Sequence, residues 1–202
     1  MFTGLVQTVG TLRALLTRDA NVRLVVEAAD WGYEALAGDS IAVNGCCLTA
    51  VRSRAEAGGC FEFDAVPETL ARTSLGILVP GSNVNLEHAV TASTLMGGHV
   101  VQGHIDAVGV VERVETGEGW RVRVGLPREA MMCVVPKGSV TVEGVSLTVA
   151  AVDAEEDWFE VALIPTTLGK TTLSGLRVGQ RCNVETDIMA RTIVHWLKVY
   201  GR

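Results

Sequence analysis

The stretch "VNGCCLT" at 43–49 places two adjacent cysteines between a glycine and a leucine-threonine pair. Such cysteines could form a disulfide, hold a metal ion or supply a reactive thiol. Successive side chains of a strand point to opposite faces, so Cys46 and Cys47 are poorly placed to share either a metal ion or a disulfide. The five cysteines of the chain form neither CxxC pairs nor a Cys/His metal framework. A single usable thiol at Cys47 stays open, beside its alternative role as a small buried hydrophobe.

Other polar side chains could carry acid–base or nucleophilic chemistry. His104 follows a glycine in "GGHVVQGHID" (97–106), and an imidazole side chain suits the role of a general base. His99 lies five residues earlier and would face the other side of a strand, so we interpret it as a linker residue. Each of these residues could equally be an ordinary strand or turn residue. The further candidates are Ser40, Ser146 and Asp187.

The chain contains the same pattern twice. Cys47 and Ser146 are 99 positions apart, and "VNGCCLT" aligns at this offset with "VEGVSLT" at 142–148. "PETL" at 67–70 and "NLE" at 85–87 recur at an offset of 98 as "PTTL" at 165–168 and "NVE" at 183–185. A register kept over most of a hundred residues indicates a duplicated domain. The copies differ at chemically informative positions, namely Cys47/Ser146, Leu5/His104, Ala89/Asp187 and Gly38/Lys137.

Each copy has the pattern of a small all-β domain. Apolar and polar residues alternate in segments such as "NVRLVVEA" and "SVTVEGVSLTVAAV", with turn residues between them at short intervals. About six strands per copy predict two similar antiparallel barrels of Greek-key type, since closure removes exposed sheet edges. We expect the first barrel at 1–97 and the second at 98–186. Short helical turns are expected after Asp30-Trp31, Pro67, Pro127 and Pro165.

The last segment, 187–202, predicts an α-helix outside the repeat. Met189, Ile193, Trp196 and Tyr200 follow one another at steps of four, three and four, the spacing of a coiled-coil seam. Thr186 could cap this helix and Asp187 suits its positive end. The helix could pack on its own barrel or mediate self-association, and the sequence favours association.

Bulk composition excludes several classes of function. The formal net charge of −6 argues against a nucleic-acid-binding surface, which should be basic. The beginning, "MFTGLVQTVG", does not have the pattern of a signal peptide, and no apolar run has the length of a membrane span. Hydrophobic residues at 48% and charged residues at 20% allow a substantial core. We therefore expect a soluble protein in the cytoplasm, with free thiols.

Several of these motifs resemble the riboflavin synthase family, in the same order along the whole chain. They are "MFTGLVQ", "NGCCLTAV", "NLEHAV", "GGHVVQGHID", "EGVSLTV", "LIPTTLGKTTL" and "CNVETDIMAR". One departure is Glu143, where an Asp is expected in many relatives.

The resemblance implies an activity and an assembly. Members of this family convert two molecules of 6,7-dimethyl-8-ribityllumazine into riboflavin and 5-amino-6-(ribitylamino)uracil by transfer of a four-carbon unit, without a metal ion or organic cofactor. It further implies two barrels, a homotrimer formed through the C-terminal helices, and an active site between barrels of different subunits. Association with the separate lumazine synthase is an additional possibility.

The resemblance also implies a set of site residues. The catalytic candidates are Ser40, Cys47, His104, Ser146 and Asp187. Lumazine-binding positions in the first copy are Gly4, Leu5, Val6, Cys47, Leu48, Thr49, Asp64, Ala65, Val66, Pro67, Glu68 and Thr69. Those in the second copy are Gly103, His104, Ile105, Lys137, Ser146, Leu147, Thr148, Ala162, Leu163, Ile164, Pro165, Thr166 and Thr167.

Two other interpretations remain open. A lumazine protein has the same duplicated fold but holds a lumazine or flavin without converting it. A structural double barrel acting only through its C-terminal helix would bind no ligand. The joint presence of Cys47, His104, Ser146 and Asp187 favours the enzyme, because neither a carrier nor a structural protein needs this set.

Overall fold

The computed structural model describes residues 1–52, 54–117 and 119–201, and the predicted pair of six-stranded barrels with a C-terminal helix is confirmed. The described residues of the first copy form six strands and one α-helix. Their bounds are β1 Thr8–Arg18, β2 Asn21–Glu27, β3 Ser40–Val43, β4 Cys46–Thr49, β5 Cys60–Ala65, α1 Pro67–Arg72 and β6 Asn83–His88. A 3₁₀ turn, Ser74–Ile77, follows α1.

The second copy repeats this order, with one additional short helix and the C-terminal helix. The bounds are β7 Ala107–Glu115, β8 Trp120–Gly125, α2 Arg128–Met131, β9 Ser139–Val142, β10 Val145–Asp153, β11 Trp158–Leu163, α3 Pro165–Lys170, β12 Arg181–Thr186 and α4 Ile188–Tyr200. A 3₁₀ turn, Thr172–Gly175, follows α3 as its counterpart follows α1.

The two sheets have the same antiparallel topology. The first has the order β4-β3-β6-β1-β2-β5, and the second forms a closed barrel with the matching order β10-β9-β12-β7-β8-β11. In the first copy an isolated bridge between Ala50 and Phe63 joins the two outer strands. The long first strands β1 and β7 carry the same bulge, between Leu12 and Ala14 and between Val111 and Arg113. Each barrel therefore encloses its own apolar core, with Phe61 and Phe63 in one and Phe159 in the other.

One expected helical turn is absent from the described residues. The turns at Pro67, Pro127 and Pro165 are confirmed, but the prediction of a helical turn after Asp30-Trp31 is wrong, because residues 31–36 are irregular. The Arg54 guanidinium donates hydrogen bonds to backbone carbonyls of this region, including those of Trp31, Ala28 (3.1 Å) and Tyr33 (3.3 Å). The Trp31 side chain is buried in the first core, which draws the chain inward.

The two barrels face each other across an approximate twofold axis. The hairpin tips Asn44-Gly45 and Glu143-Gly144 both have positive φ at both positions, as a two-residue hairpin loop of the I′ type requires. The glycines touch, because a Cβ added to Gly45 would lie 2.7 Å from the Gly144 nitrogen. Equivalent residues therefore meet at the axis, and a side chain on either glycine would push the barrels apart.

Hydrogen bonds across this axis come in matched pairs. The Asn85 side-chain amide donates to the Glu143 carbonyl at 2.9 Å, and that of Asn183 donates to the Asn44 carbonyl at 2.9 Å. In addition, residues Phe2 and Val101, equivalent by the offset of 99, pair with each other through an isolated antiparallel bridge. The interface is thus isologous, as between the subunits of a symmetric dimer.

The C-terminal helix α4 lies largely outside the two cores. Its N-cap is Asp187, whose carboxylate accepts the Met189 N–H at 2.8 Å; the expected cap Thr186 is instead buried, with its hydroxyl on Asp106 at 2.8 Å. None of the residues of the helix is buried. The predicted seam is exposed to solvent, at 70% for Met189, 59% for Ile193, 57% for Trp196 and 67% for Tyr200.

Within the described ranges, no helix combines the length and the apolar character that a bilayer crossing would need.

Candidate active site

The turn at Gly4 belongs to the first copy by sequence but lies on the second barrel. The Ser146 N–H of β10 donates to the Gly4 carbonyl at 2.7 Å, and Val6 packs against the second core. The approach is close enough to require glycine, because a Cβ at residue 4 would lie 2.6 Å from the Ser146 Cβ and the φ of Gly4 is 74°.

The turn at Gly103 makes the reciprocal contact with the first barrel. The Cys47 N–H of β4 donates to the Gly103 carbonyl at 2.8 Å, and Ile105 packs against the first core. The sequence groups Gly4–Val6 with the first barrel and Gly103–Ile105 with the second. In the structure the two turns are exchanged, so that each barrel's site is completed by the other copy.

Two buried carboxylates that sequence analysis missed hold these turns. Glu87 accepts the N–H groups of Thr3 at 2.6 Å and Gly4 at 3.0 Å. Glu185 accepts those of Gln102 at 2.7 Å, Gly103 at 2.8 Å and His104 at 3.0 Å. Burial raises the pKa of both carboxyls, and the N–H donors partly oppose that shift. The recurrence of "NLE" as "NVE" was a signal that could have identified them.

An open cleft of about 280 Å³ lies where the Gly4 turn meets the second barrel. Predicted binding residues from distant parts of the chain come together here. Those that line the cleft are Gly4, Leu5, Val6, Ser146, Thr166 and Thr167. The cleft combines exposed apolar surface from Leu5 with hydroxyls on β10 and α3, a lining suited to a flat ring that carries a polar chain.

The Ser146 hydroxyl is hydrogen-bonded to a histidine. Its Oγ lies 2.7 Å from His99 Nδ1, while the other ring nitrogen of His99 is buried without a partner. Burial lowers the pKa of His99, and the negative charge of Asp187 partly opposes this. His99 does lie in the irregular segment that links the two barrels, as interpreted, but sequence analysis missed its contact with Ser146. A glycine precedes it because the chain passes close to the Thr3 backbone there: a Cβ at Gly98 would overlap the Thr3 carbonyl oxygen and lie 3.1 Å from the Ser146 Cβ.

In the first barrel the side chains of the adjacent cysteines lie in different environments, as predicted. Cys46 is buried in the core, where desolvation raises its pKa to about 12, so this thiol stays protonated at neutral pH. Cys47 is half-buried beneath the Gly103 turn. Ser40 pairs with Thr49 across β3 and β4, two residues from Cys47. His104 is exposed, directly after the residue that contacts Cys47.

The two remaining binding segments run from the last residues of a strand into a helix. In Asp64–Thr69 the Asp64 carboxylate is bound on two sides by Arg23, at 2.7 and 2.9 Å, and this partner lowers its pKa. In Ala162–Thr167 only Leu163 is buried. Lys137 is exposed in the turn before β9, with a left-handed φ of 63° where the first copy has Gly38. Leu48 and Leu147 are buried core residues, whereas Thr49 and Thr148 are exposed.

The described residues contain no group of three or more His, Cys, Asp and Glu side chains arranged for a metal ion.

Comparison with known proteins agrees with the duplication. Residues 3–89 and 102–187 each match the lumazine binding domain family. The riboflavin synthase of Mycobacterium tuberculosis (strain ATCC 25618 / H37Rv) is 44% identical, with 100% of both chains covered. Those of Photobacterium phosphoreum and Bacillus subtilis (strain 168) are 39% and 35% identical, each match covering 98% of this chain and 90% of the relative.

Solved structures of LumP share the fold. LumP complexed with riboflavin superposes with a TM-score of 0.80 at 26% identity, covering 92% of this chain and 99% of that chain. LumP complexed with 6,7-dimethyl-8-(1'-D-ribityl) lumazine gives a TM-score of 0.78 at 25% identity, with the same coverage.

Proposed function

Since this chain belongs to the riboflavin synthase family and carries two lumazine binding domains, we propose that it converts two molecules of 6,7-dimethyl-8-ribityllumazine into riboflavin and 5-amino-6-(ribitylamino)uracil. The observation that carries this proposal is the similarity to riboflavin synthases over the full length of the chain, with 44% identity to that of Mycobacterium tuberculosis. The reaction balances without an added oxidant or reductant, because one lumazine gives up a four-carbon unit and the other receives it.

The duplicated architecture supplies two related sites for two identical substrates. The cleft beside Ser146 and the corresponding surface beside Cys47 are built from equivalent elements, each completed by an exchanged turn. Holding two reactants in a fixed mutual orientation converts a bimolecular step into a local one, which can contribute several kcal/mol to catalysis. We assign the predicted binding segments to these two sites, with ring edges bound by backbone groups and ribityl hydroxyls bound by side chains.

Proton transfer is the first chemical requirement. The methyl group on C7 of one lumazine must lose a proton to a base, and the resulting carbanion delocalises into the ring. The His99–Ser146 pair can relay such a proton, because burial keeps His99 neutral at pH 7 and its Nδ1 lies 2.7 Å from the Ser146 oxygen. Asp187 would stabilise the imidazolium. His104, exposed at the other turn, is the corresponding candidate at the first barrel.

The second requirement is activation of the other lumazine at C7 by a nucleophile. We assign this role to the Cys47 thiolate or to a water molecule or ribityl hydroxyl held nearby, with Ser40 as an orienting hydroxyl on the neighbouring strand. Cys47 suits the assignment because, unlike Cys46, it is not enclosed in the core.

We further propose that three chains associate through α4 and that active sites form between neighbouring subunits. The exposed stripe of Met189, Ile193, Trp196 and Tyr200 supports this, since an apolar seam of this kind is rarely left in water. Both assigned sites would then lie where a second copy can close them. The same family membership supports a place in the cytoplasm, and we include association with lumazine synthase in this proposal.

A non-catalytic lumazine carrier is the second candidate function. The specific observation in its favour is the similarity to LumP, of which separate crystal structures contain 6,7-dimethyl-8-(1'-D-ribityl) lumazine and riboflavin. The identity to LumP, 25–26%, is lower than that to the riboflavin synthases.

Incubation with 6,7-dimethyl-8-ribityllumazine alone distinguishes the two functions. An enzyme produces riboflavin at half the rate at which lumazine disappears, with no metal or cofactor added. A carrier binds the lumazine and leaves its concentration unchanged, a result that would contradict the proposal.

A further inference from the structure

The exchange of turns gives the two buried carboxylates an unexpected position. Glu87 lies near the end of β6 in the first barrel, yet the turn that it holds covers Ser146 of the second. Glu185 lies near the end of the equivalent strand β12 of the second barrel, and its turn covers Cys47 of the first. Each carboxylate is thus separated from the site that it supports by one turn of the chain.

We propose that Glu87 and Glu185 are positioning residues that act across the barrel interface, Glu87 setting the geometry of the Ser146 cleft and Glu185 setting that of the Cys47 site. This inference deepens the proposed function. It rests on that function only because it takes the Ser146 cleft and the Cys47 site as the places where substrate binds.

Burial and bonding indicate a dedicated role for these groups. Glu87 is 4% exposed and Glu185 is 1% exposed. Neither forms an ion pair within the described part of the chain. The loss of hydration is therefore compensated by backbone N–H groups of the turns and, for Glu87, also by the Thr3 hydroxyl, which donates at 2.8 Å. Burying a carboxylate in this way is costly unless it is well hydrogen-bonded, and such bonds to a charged acceptor are stronger than neutral ones.

The bonding pattern requires two acceptor oxygens. In Glu185, Oε1 binds Gln102 N–H while Oε2 binds both Gly103 and His104 N–H. A glutamine has the same shape, but it replaces one oxygen by an NH₂ group that only donates. Glu185→Gln therefore sets donor against donor and releases part of the turn without creating a cavity. The same reasoning applies to Glu87→Gln and the turn at Gly4.

Thiol alkylation reports on each site separately. Cys47 lies directly beneath the Gly103 turn, and its modification by iodoacetamide can be followed by peptide mass mapping without substrate. Ser146→Cys places an equivalent thiol beneath the Gly4 turn. Cys60, which is partly exposed on β5, serves as an internal standard in every sample. Because no substrate is used, the result does not depend on whether the protein makes riboflavin.

We expect a crossed pattern. Glu185→Gln should speed alkylation of Cys47 about tenfold, as expected for loss of one charged hydrogen bond. It should change the alkylation rate of the thiol introduced by Ser146→Cys by less than about twofold. Glu87→Gln should do the reverse. Unchanged Cys47 reactivity in Glu185→Gln, or equal acceleration at both thiols by either variant, would overturn the proposal.

A second pair of variants covers the case in which a glutamine variant does not fold. Gly103→Ala keeps the carboxylate but places a Cβ 2.6 Å from that of Cys47, and Gly4→Ala does the same at Ser146. Each should expose only the thiol beneath its own turn. Acceleration at the opposite thiol would contradict the exchanged arrangement.

Discussion

Replacing Glu143 by glutamine should stabilise the protein at alkaline pH. Glu143 sits at the hairpin tip on the approximate twofold axis, is 5% exposed and accepts the Asn183 N–H at 2.6 Å. Burial raises the pKa of this carboxyl from 4.5 to about 7, more than its hydrogen bonds lower it. The first copy has the neutral Asn44 at the equivalent position, so the fold does not require a charge here.

The magnitude follows from the linkage between protonation and folding. A pKa raised in the folded state means that the folded protein binds more protons than the unfolded chain between pH 4.5 and about 7. The free energy of unfolding therefore falls as pH rises through this window. At about 1.4 kcal/mol per pKa unit, the contribution lost above pH 7 is roughly 3 kcal/mol.

Glu143→Gln removes the ionisation but retains a carbonyl oxygen for the Asn183 N–H. We expect the variant to exceed the wild type by about 2–3 kcal/mol at pH 8 and to lose this advantage below pH 4.5. Urea unfolding at several pH values and at one protein concentration measures the difference, in which the contributions of all other carboxyls cancel.

The matched control is Glu68→Gln on α1, where the carboxylate is exposed and pairs with Arg72 at 3.0 Å. It should change stability by less than about 0.5 kcal/mol at any of these pH values. A Glu143→Gln variant that is less stable than the wild type at pH 8, or whose advantage does not vary with pH, would refute the reasoning.

Three further predictions concern the relay, the axis and the helix. His99→Gln should lower kcat about 10- to 100-fold with little change in KM. In steady-state pH profiles it should also remove the fall in rate at acidic pH, which the lowered pKa of His99 places below the ordinary value of 6.5; an unchanged profile excludes the relay. Gly45→Ala should lower the free energy of unfolding in urea by about 1–3 kcal/mol more than Gly81→Ala does. Both glycines have positive φ, but only a Cβ at residue 45 would meet a backbone atom, the Gly144 nitrogen at 2.7 Å; equal losses would mean that the barrels can separate freely. The Trp196 side chain is 57% exposed in the single chain, and Trp196→Asp should reduce the mass measured by sedimentation from that of three chains to that of one. An unchanged mass would rule out α4 as the contact between chains.

The repeat made the architecture predictable. A constant offset between "VNGCCLT" and "VEGVSLT" requires two similar domains, and alternation within each copy identifies strands wherever one face is buried. Six strands per copy and the terminal helix follow from these local patterns. The opposite environments of Cys46 and Cys47 follow from the same period of two.

The features that sequence analysis missed depend on contacts between distant segments. His99 contacts Ser146 only because the two copies pack face to face, and the hydrophobic pattern of the sequence around His99 does not reveal that packing. The exchange of the Gly4 and Gly103 turns is likewise a property of the interface. The helix expected after Trp31 is absent because Arg54, distant in sequence, binds the carbonyls that a helix would need.

An isotope experiment tests the central claim of four-carbon transfer between two lumazines most directly. The protein is incubated with equal amounts of unlabelled 6,7-dimethyl-8-ribityllumazine and the same compound carrying ¹³C in both methyl groups. Dismutation predicts riboflavin of three masses, with the mixed species twice as abundant as either parent, together with unlabelled 5-amino-6-(ribitylamino)uracil. Recovery of both lumazines unconverted, or of riboflavin without the mixed species, would contradict the account.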